Sequence, residues 1–433
     1  MGRSVGLDVH KSIVQSAIVD RKGQKVAGDR FSCSRETLKL YAQRTLRPTD
    51  RVALEATTNT WGIVAVLRPF VKEVVVSNPL RTKAIASAKV KTDKVDALVL
   101  AQLLRCDYLP LVWQPPDDVQ AARAITGRRA ALVADRTAVK NRLHAVLRQR
   151  LIEEPPRLFE RKGLEWLAQV ALDPAGRDAI DSDLRILNLL DEEVDRIDQT
   201  LLERSAQSDD IKLLVTLPGV DVAVAQTLGA ALGDINRFPD GDRAASYVGL
   251  VPSTRQSADH CFHGPITKQG NSRARWLLVQ AAQNVADHPG PLGAFFRRIA
   301  KKRGRSIAIV ATARKMVVIA WHMLKHREAY RYALPARTEA KLRRIRTAGG
   351  ERRRAKPGAI RTRPDTDNPT VVSKRVPSLP EVYNSEGIPP MAPRAAGEAR
   401  MLEENGLTQS VDALCTEHWK TTKTRRRRAK KEY

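Results

Sequence analysis

SVGLDVHKSIVQSAIVDRKGQKVAGDRF, residues Ser4 to Phe31, is the stretch that decides the fold. Three runs of strand-forming residues, SVGLDV, IVQSAIVD and KVAGDRF, are separated by short polar breaks that include the turn Arg21-Lys22-Gly23-Gln24. They read as an antiparallel β-meander. Working outward, Ser34-Arg35-Glu36-Thr37 offers a helix start, with Leu38, Leu40 and Tyr41 apolar on the following turns. RVALEA from Arg51 reads as a buried strand, and a helix follows from about Asn59. A strand over 71–76 comes next, then helices around Thr82 and over 94–104.

Three antiparallel strands followed by alternating helices and strands match a ribonuclease H-like α/β domain over 1–115; a dinucleotide-binding order would begin with βαβ. Helical spacing then dominates. Over 116–208, apolar residues such as Leu184, Leu187, Leu190, Val194, Ile197 and Leu201 recur among many charges, predicting a long helical hairpin or coiled-coil linker. Residues 209–334 read as a mainly α-helical C-terminal domain. Beyond Leu334 the composition turns to Arg, Lys, Pro, Thr and Gly, which predicts a basic, disordered tail over 335–433.

The chain has 433 residues, with 75 Lys+Arg against 48 Asp+Glu and a net charge of +27. The tail carries about +11 of this and the body about +16, so the folded part is itself basic and suits a polyanionic partner. A hydrophobic content of 42% excludes disorder throughout. There is no run of about 18 uncharged apolar residues and no signal-peptide core, so the expectation is a cytoplasmic protein without a membrane partner. Cys33, Cys106, Cys261 and Cys415 form no CxxC pair, and they read as reduced and structural.

Four carboxylates stand out in the first domain. Asp8 interrupts an apolar strand, Glu55 ends RVALEA, and Asp93 and Asp96 open the helix in KTDKVDALVLAQLL on one face. Taken singly, Asp93 is a helix-start acid, Asp96 a solvated helix residue and Glu55 a strand end. Taken together in this strand order they surround one cleft. A carboxylate inside an apolar strand is costly unless something cationic neutralises it, as two divalent ions engaged in phosphodiester chemistry would.

GLDVHK at 6–11, ALEATTNTW at 53–61, NPLRTKAIA at 78–86 and KTDKVDALVLAQLL at 91–104 together resemble the N-terminal domain of the DEDD insertion-sequence transposases. That family has a Holliday-junction-resolvase-like (RuvC-like) N-terminal domain and a separate serine-bearing C-terminal domain. KTDxxDA is the most specific piece. The resemblance implies that Asp8, Glu55, Asp93 and Asp96 are the catalytic tetrad binding Mg2+, with two ions expected.

In the C-terminal part, Leu217-Pro218-Gly219-Val220 sits between helical stretches like a helix-hairpin-helix turn, whose backbone amides can hold a phosphate, or else is a tight turn in a bundle. YVGLVP, ITKQGN and RARWLLVQAA, within 245–286, resemble the family's C-terminal transposase domain. Aligned on the GLxP segment, the family's nucleophilic serine falls on Ser257, with Ser253 and Ser272 the alternatives by distance. A serine hydroxyl needs a base or metal to activate it. The spacing of His260, Cys261 and His263 fits no common zinc site, which leaves them as polar loop residues, with a proton-moving role for His260 as the lesser alternative. Lys268, Asn271, Arg273 and Arg275 can contact phosphate, or Arg273 and Arg275 can be a solvated helix face. Lys301, Lys302, Arg303 and Arg305 lead into an amphipathic helix over 307–324 whose apolar stripe reads as core.

The function expected is therefore a DNA transposase or site-specific recombinase. Ser257 would form a transient phosphoserine link to DNA. The resemblance adds a guide RNA encoded by the element, a homodimer or homotetramer, and association with the nucleoid. Two other readings stand beside it: a structure-specific endonuclease that hydrolyses branched DNA with metals alone, and a non-catalytic nucleic-acid-binding protein. An actin-like ATPase is disfavoured by the lack of glycine-rich phosphate loops.

Overall fold

A computed structural model describes residues 2–86, 92–257, 260–351, 362–364, 371–391, 393–394 and 396–423. The chain divides into two units, Met1–Pro116 and Asp117–Tyr433.

The first unit is built on a six-stranded mixed sheet. Its strands are β1 (Ser4–Val9), β2 (Ile13–Val19), β3 (Lys25–Ala27), β4 (Arg30–Ser32), β5 (Arg51–Glu55) and β6 (Glu73–Ser77). The order is β3-β2-β1-β5-β6, and β4 also pairs with β2. β1 runs antiparallel to β2 and parallel to β5, and β5 runs parallel to β6. The expected third strand is broken in two at Gly28-Asp29. There the Ser16 hydroxyl accepts from the Asp29 amide at 2.9 Å, and Ser16 donates its own amide to the Asp29 carbonyl at 2.8 Å.

Period-two alternation divides the sheet into two faces. Val5, Leu7, Val52, Leu54, Val74 and Val76 are buried on one face with residues of α1 (Arg35–Thr45) and α2 (Thr60–Leu67). Ser34 caps α1 through a capping box with Thr37. α3 (Pro79–Ile85) follows β6 and is capped by Asn78. α4 (Asp93–Arg105), capped by Thr92, covers the other face, where Leu100 and Leu104 pack on Ala53 and Val75. At the opposite end of β1, Asp50 is fully buried and takes a 2.7 Å ion pair from Arg3 and the Arg47 amide at 2.9 Å.

The second unit begins with a pair of 33-residue helices, α5 (Asp117–Gln149) and α7 (Pro174–Ala206), separated by α6 (Arg161–Gln169). They pack antiparallel: Arg129 pairs with Asp198, Arg136 with Asp191 and Arg142 with Asp183 in steadily opposing order. Val139, Leu143 and Leu147 of α5 bury against Ile180 and Leu187 of α7. The segment thus forms a helical hairpin.

Helices α8 (Asp209–Leu214), α9 (Val222–Leu232), α10 (Gly241–Val248), α11 (Ser272–Gln283), α12 (Pro291–Arg303) and α13 (Arg305–His326) follow. β7 (Pro252–Ser257) and β8 (His260–Ile266) form a hairpin within them. α13 is long and apolar enough to cross a membrane by length and composition, but Ala313, Met316, Val317, Ala320 and Trp321 lie in the core of this unit.

The expectation of a disordered tail is corrected for the described residues beyond Leu334. α14 (Pro335–Ala348), α15 (Leu379–Ser385), α16 (Ala396–Glu404) and α17 (Thr408–Asp412) are folded, and β9 (Thr362–Pro364), β10 (Val371–Val376) and β11 (His418–Lys423) pair in a three-stranded sheet. Leu342, Ile345, Leu379, Val382, Tyr383, Leu402 and Leu414 join the main core. The composition there is basic, yet a few well-spaced apolar residues suffice to anchor short helices on a core that already exists. The basic run 424–433 lies outside the described residues.

Of the two readings of the Leu217-Pro218-Gly219-Val220 turn, the packing is that of a tight turn in a helical bundle. It packs inward: a Cβ on Gly219, whose φ is +78°, would lie 2.4 Å from the Ala281 carbonyl oxygen of α11. Lys341 of α14 donates to the carbonyls of Val215 and Val220 on either side, and burial brings its ammonium down to about 8.

Candidate metal centre and nucleophile hairpin

Asp8 is the last even-numbered residue of β1 and therefore points to the α4 face with Gly6. Gly6 allows the helix to lie directly on the strand. A Cβ there would come within 2.0 Å of the Ala97 carbonyl oxygen and 2.6 Å of the Ala101 amide nitrogen. One turn upstream of Ala97, the start of α4 reaches the end of β1 and carries Asp93 and Asp96 to it. Glu55 follows Leu54, the register partner of Leu7, and belongs to the same face as Ala53, the partner of Gly6. It thus stands at the neighbouring strand end, about 5 Å away across the sheet.

His10, two residues beyond Asp8, completes the cluster. Its Nε2 lies 3.1 Å from Asp8 Oδ2 and 3.3 Å from Asp93 Oδ1. Ligand atoms of Asp8, His10 and Asp93 all lie within 4.8 Å of one another, the one such group of three found among the described residues. Burial raises the Asp8 carboxyl above its ordinary range; His10 opposes the rise, while Asp93 and Asp96 add to it. A half-buried carboxylate raised by burial and two like charges, with open ligand atoms beside it, fits a divalent cation. Reading the sequence for carboxylates alone missed His10. The signal was present in its i, i+2 spacing from Asp8, which continues the side alternation of β1 one residue past the strand end.

Ser257 lies in the second unit. It is the last residue of β7, exposed and paired in the hairpin register with His260, a residue that the sequence pattern places in a loop. Ala258 and Asp259 lie outside the described residues. Ser253 sits near the base of the same strand, where a Cβ on Gly264 would fall 2.6 Å from its hydroxyl oxygen, and Ser272 is the exposed first residue of α11. Cys261 Sγ lies 3.8 Å from His263 Nε2, and His263 Nδ1 lies 3.1 Å from Thr254 Oγ1.

The motif pieces YVGLVP and ITKQGN interlock through two left-handed glycines. A Cβ on Gly249 would lie 2.2 Å from the Gln269 carbonyl oxygen, and one on Gly270 would lie 2.0 Å from that of Tyr247. Arg275 fastens them by donating to the carbonyls of Val248 at 2.9 Å and Gln269 at 3.2 Å. Asn271 caps α11 by accepting from the amides of Arg273 and Ala274. Arg273 lies over Gly127 of α5, whose missing Cβ would meet its guanidinium at 2.7 Å. Lys268 is exposed in a left-handed conformation. Asn271 and Arg275 therefore have structural tasks that the sequence pattern did not reveal.

Both regions match known protein families. A family model described as a transposase, of the DEDD IS110 type, matches residues 5–152, and one described as the transposase IS116/IS110/IS902 family matches residues 211–297. A candidate transposase of Sinorhizobium fredii, y4qE, is 30% identical over 53% of this chain and 56% of its own length. An uncharacterized 44.8 kDa protein of insertion element IS116 from Streptomyces clavuligerus is 27% identical over 57% of this chain and 74% of its own. The transposase for insertion sequence element IS1111A of Coxiella burnetii is 26% identical over 56% of this chain and 68% of its own. The alignment thus spans just over half of the first of these relatives. With one model covering the carboxylate domain and the other the serine hairpin, the chain belongs to the IS110 family of DEDD transposases.

Proposed function

We propose that the chain cuts and rejoins the DNA strands of an insertion sequence, using Asp8, Glu55, Asp93 and Asp96 to hold Mg2+, with two ions expected, and Ser257 as nucleophile. The observation that carries this reading is the convergence of Asp8, His10 and Asp93 at the end of β1, with Asp96 close enough to raise the Asp8 carboxyl. The sheet order, with β1 between an antiparallel and a parallel neighbour, supports a ribonuclease H-like domain. When bound there, divalent ions would supply charge neutralisation and activation at a scissile phosphate.

The remaining chemistry belongs to the chain's own groups. Ser257 Oγ attacks the phosphorus of a DNA phosphodiester, its proton passing to a base, and the P–O bond to the leaving strand breaks. The products are a phosphoserine link and a free strand hydroxyl. Attack by a hydroxyl on that link later rejoins the DNA and restores the serine, with the number of phosphodiester bonds conserved. A guide RNA from the element, a dimeric or tetrameric assembly and location at the nucleoid belong to the same proposal, supported by the family and by the net charge of +27.

Sequencing of excised-circle and insertion junctions tests it, in cells carrying the gene within its native flanking DNA. Junctions are expected from wild type and Ser253→Ala and are expected to vanish with Asp93→Ala and Ser257→Ala. Wild-type junctions from Ser257→Ala would remove the covalent step at this residue. Junctions from Asp93→Ala would remove the tetrad from the mechanism.

A further inference from the structure

The β7–β8 hairpin has two unlike faces. Its register pairs Thr254 with His263, Arg255 with Phe262, Gln256 with Cys261 and Ser257 with His260. Alternation therefore places Arg255, Ser257, His260 and Phe262 on one face and Thr254, Gln256, Cys261 and His263 on the other. The second face is bonded to itself through Thr254, His263 and Cys261. The first face is open: Phe262 is 67% exposed, and Arg255, Ser257 and His260 are exposed with it.

An exposed phenyl on a short polar hairpin contributes little to folding, so its large apolar surface is available to a ligand. Directly across the strand from it, at about 5 Å between Cβ atoms, stands Arg255, whose guanidinium can reach the same ligand. An aromatic face beside a planar cation matches one unpaired nucleotide, whose base stacks on the ring and whose phosphate accepts from the guanidinium. One residue pair further along lies Ser257, so a nucleotide held this way would bring its neighbouring phosphate toward the serine.

We propose that Arg255 and Phe262 grip the DNA strand that Ser257 attacks, Phe262 stacking on an unpaired base and Arg255 bonding a backbone phosphate. This rests on the reading of Ser257 as nucleophile. Its single-strand preference follows from the ring, because a base must leave the duplex stack to expose its π-face.

The test uses the purified full-length chain and a single-stranded DNA probe from the element end, carrying 5-iododeoxyuridine at each thymine in turn. Ultraviolet cross-links are mapped by mass spectrometry, and affinity is measured against salt concentration. Wild type is expected to cross-link at Phe262. Phe262→Ala should lose that cross-link and bind about tenfold more weakly with an unchanged salt slope, and Phe262→Trp should restore binding. Arg255→Ala should lower the salt slope by about 0.7.

Wild-type affinity, slope and cross-links in Phe262→Ala and Arg255→Ala would overturn the proposal, as would a cross-link formed only with the matching RNA strand. The two readings separate cleanly. If Ser257→Ala abolishes junctions while Phe262→Ala binds like wild type, the grip is wrong and the nucleophile stands. If Ser257→Ala keeps its junctions while Phe262→Ala binds weakly, the grip stands and the nucleophile is wrong.

Discussion

Gly6 in β1 and Ala97 in α4 approach so closely that a Cβ on Gly6 would lie 2.0 Å from the Ala97 carbonyl oxygen. This contact sets the height of α4 over the sheet, and with it the distance from Asp93 to Asp8 and His10. Gly6→Ala meets backbone, which cannot swing aside as a side chain can. The helix must lift, at a cost of about 1–3 kcal/mol or more. The expected result is a lower urea midpoint together with a smaller rise in melting temperature on adding Mn2+ or Mg2+. A variant that keeps the full metal-dependent rise would show that the contact does not position the carboxylates.

His10 adds an imidazole to the carboxylate cluster, its Nε2 lying 3.1 Å from Asp8 and 3.3 Å from Asp93. Imidazole favours Mn2+ over Mg2+, because Mg2+ prefers oxygen and keeps its waters. Titration calorimetry should find Mn2+ bound more tightly by wild type, with the margin narrowing in His10→Asn. An equal margin in both proteins would take His10 out of the ligand set.

His288 is 6% exposed; its Nδ1 accepts from the Gly290 amide at 3.1 Å, and its Nε2 has no partner among the described residues. Burial, aided by Arg337 and Arg297, lowers its pKa from 6.5 to about 4. The unfolded chain takes up the proton first as pH falls. Stability from this residue is therefore whole above pH 6.5 and is lost between 6.5 and 4, by about 2 kcal/mol between pH 7 and 5. Urea unfolding at those two pH values should show a smaller difference for His288→Gln than for wild type. Equal differences would mean that His288 does not titrate with unfolding.

Tyr383 of α15 is 2% exposed in the main core and donates its hydroxyl to the Tyr330 carbonyl at 2.6 Å. Tyr383→Ala should cost about 3–5 kcal/mol and Tyr383→Phe about 1 kcal/mol. A chain ending at residue 348 should melt lower than the full protein. If urea denaturation found Tyr383→Ala as stable as wild type, the folded tail would contribute nothing to the core.

Much of the first unit follows from local pattern. Alternation in β1 separates Val5 and Leu7 from Gly6 and Asp8, and the i, i+3 spacing of Asp93 and Asp96 places both on one helix face, because side-chain direction in a strand or helix is set by backbone period alone. The motifs KTDxxDA and YVGLVP were likewise legible as residues. What lies in no local period had to come from tertiary structure. The approach of α4 brings His10 to Asp93, and strand pairing turns an apparent loop into a hairpin that sets Arg255 beside Phe262. Arg275 and Asn271 are spent on backbone carbonyls and amides, and Lys341 buries against the Leu217 turn although its composition suggests solvent. The apolar residues of a basic tail find a core that was already folded. Each of these depends on which distant groups meet, and the free energy of burial and hydrogen bonding is decided by that meeting rather than by the residue type.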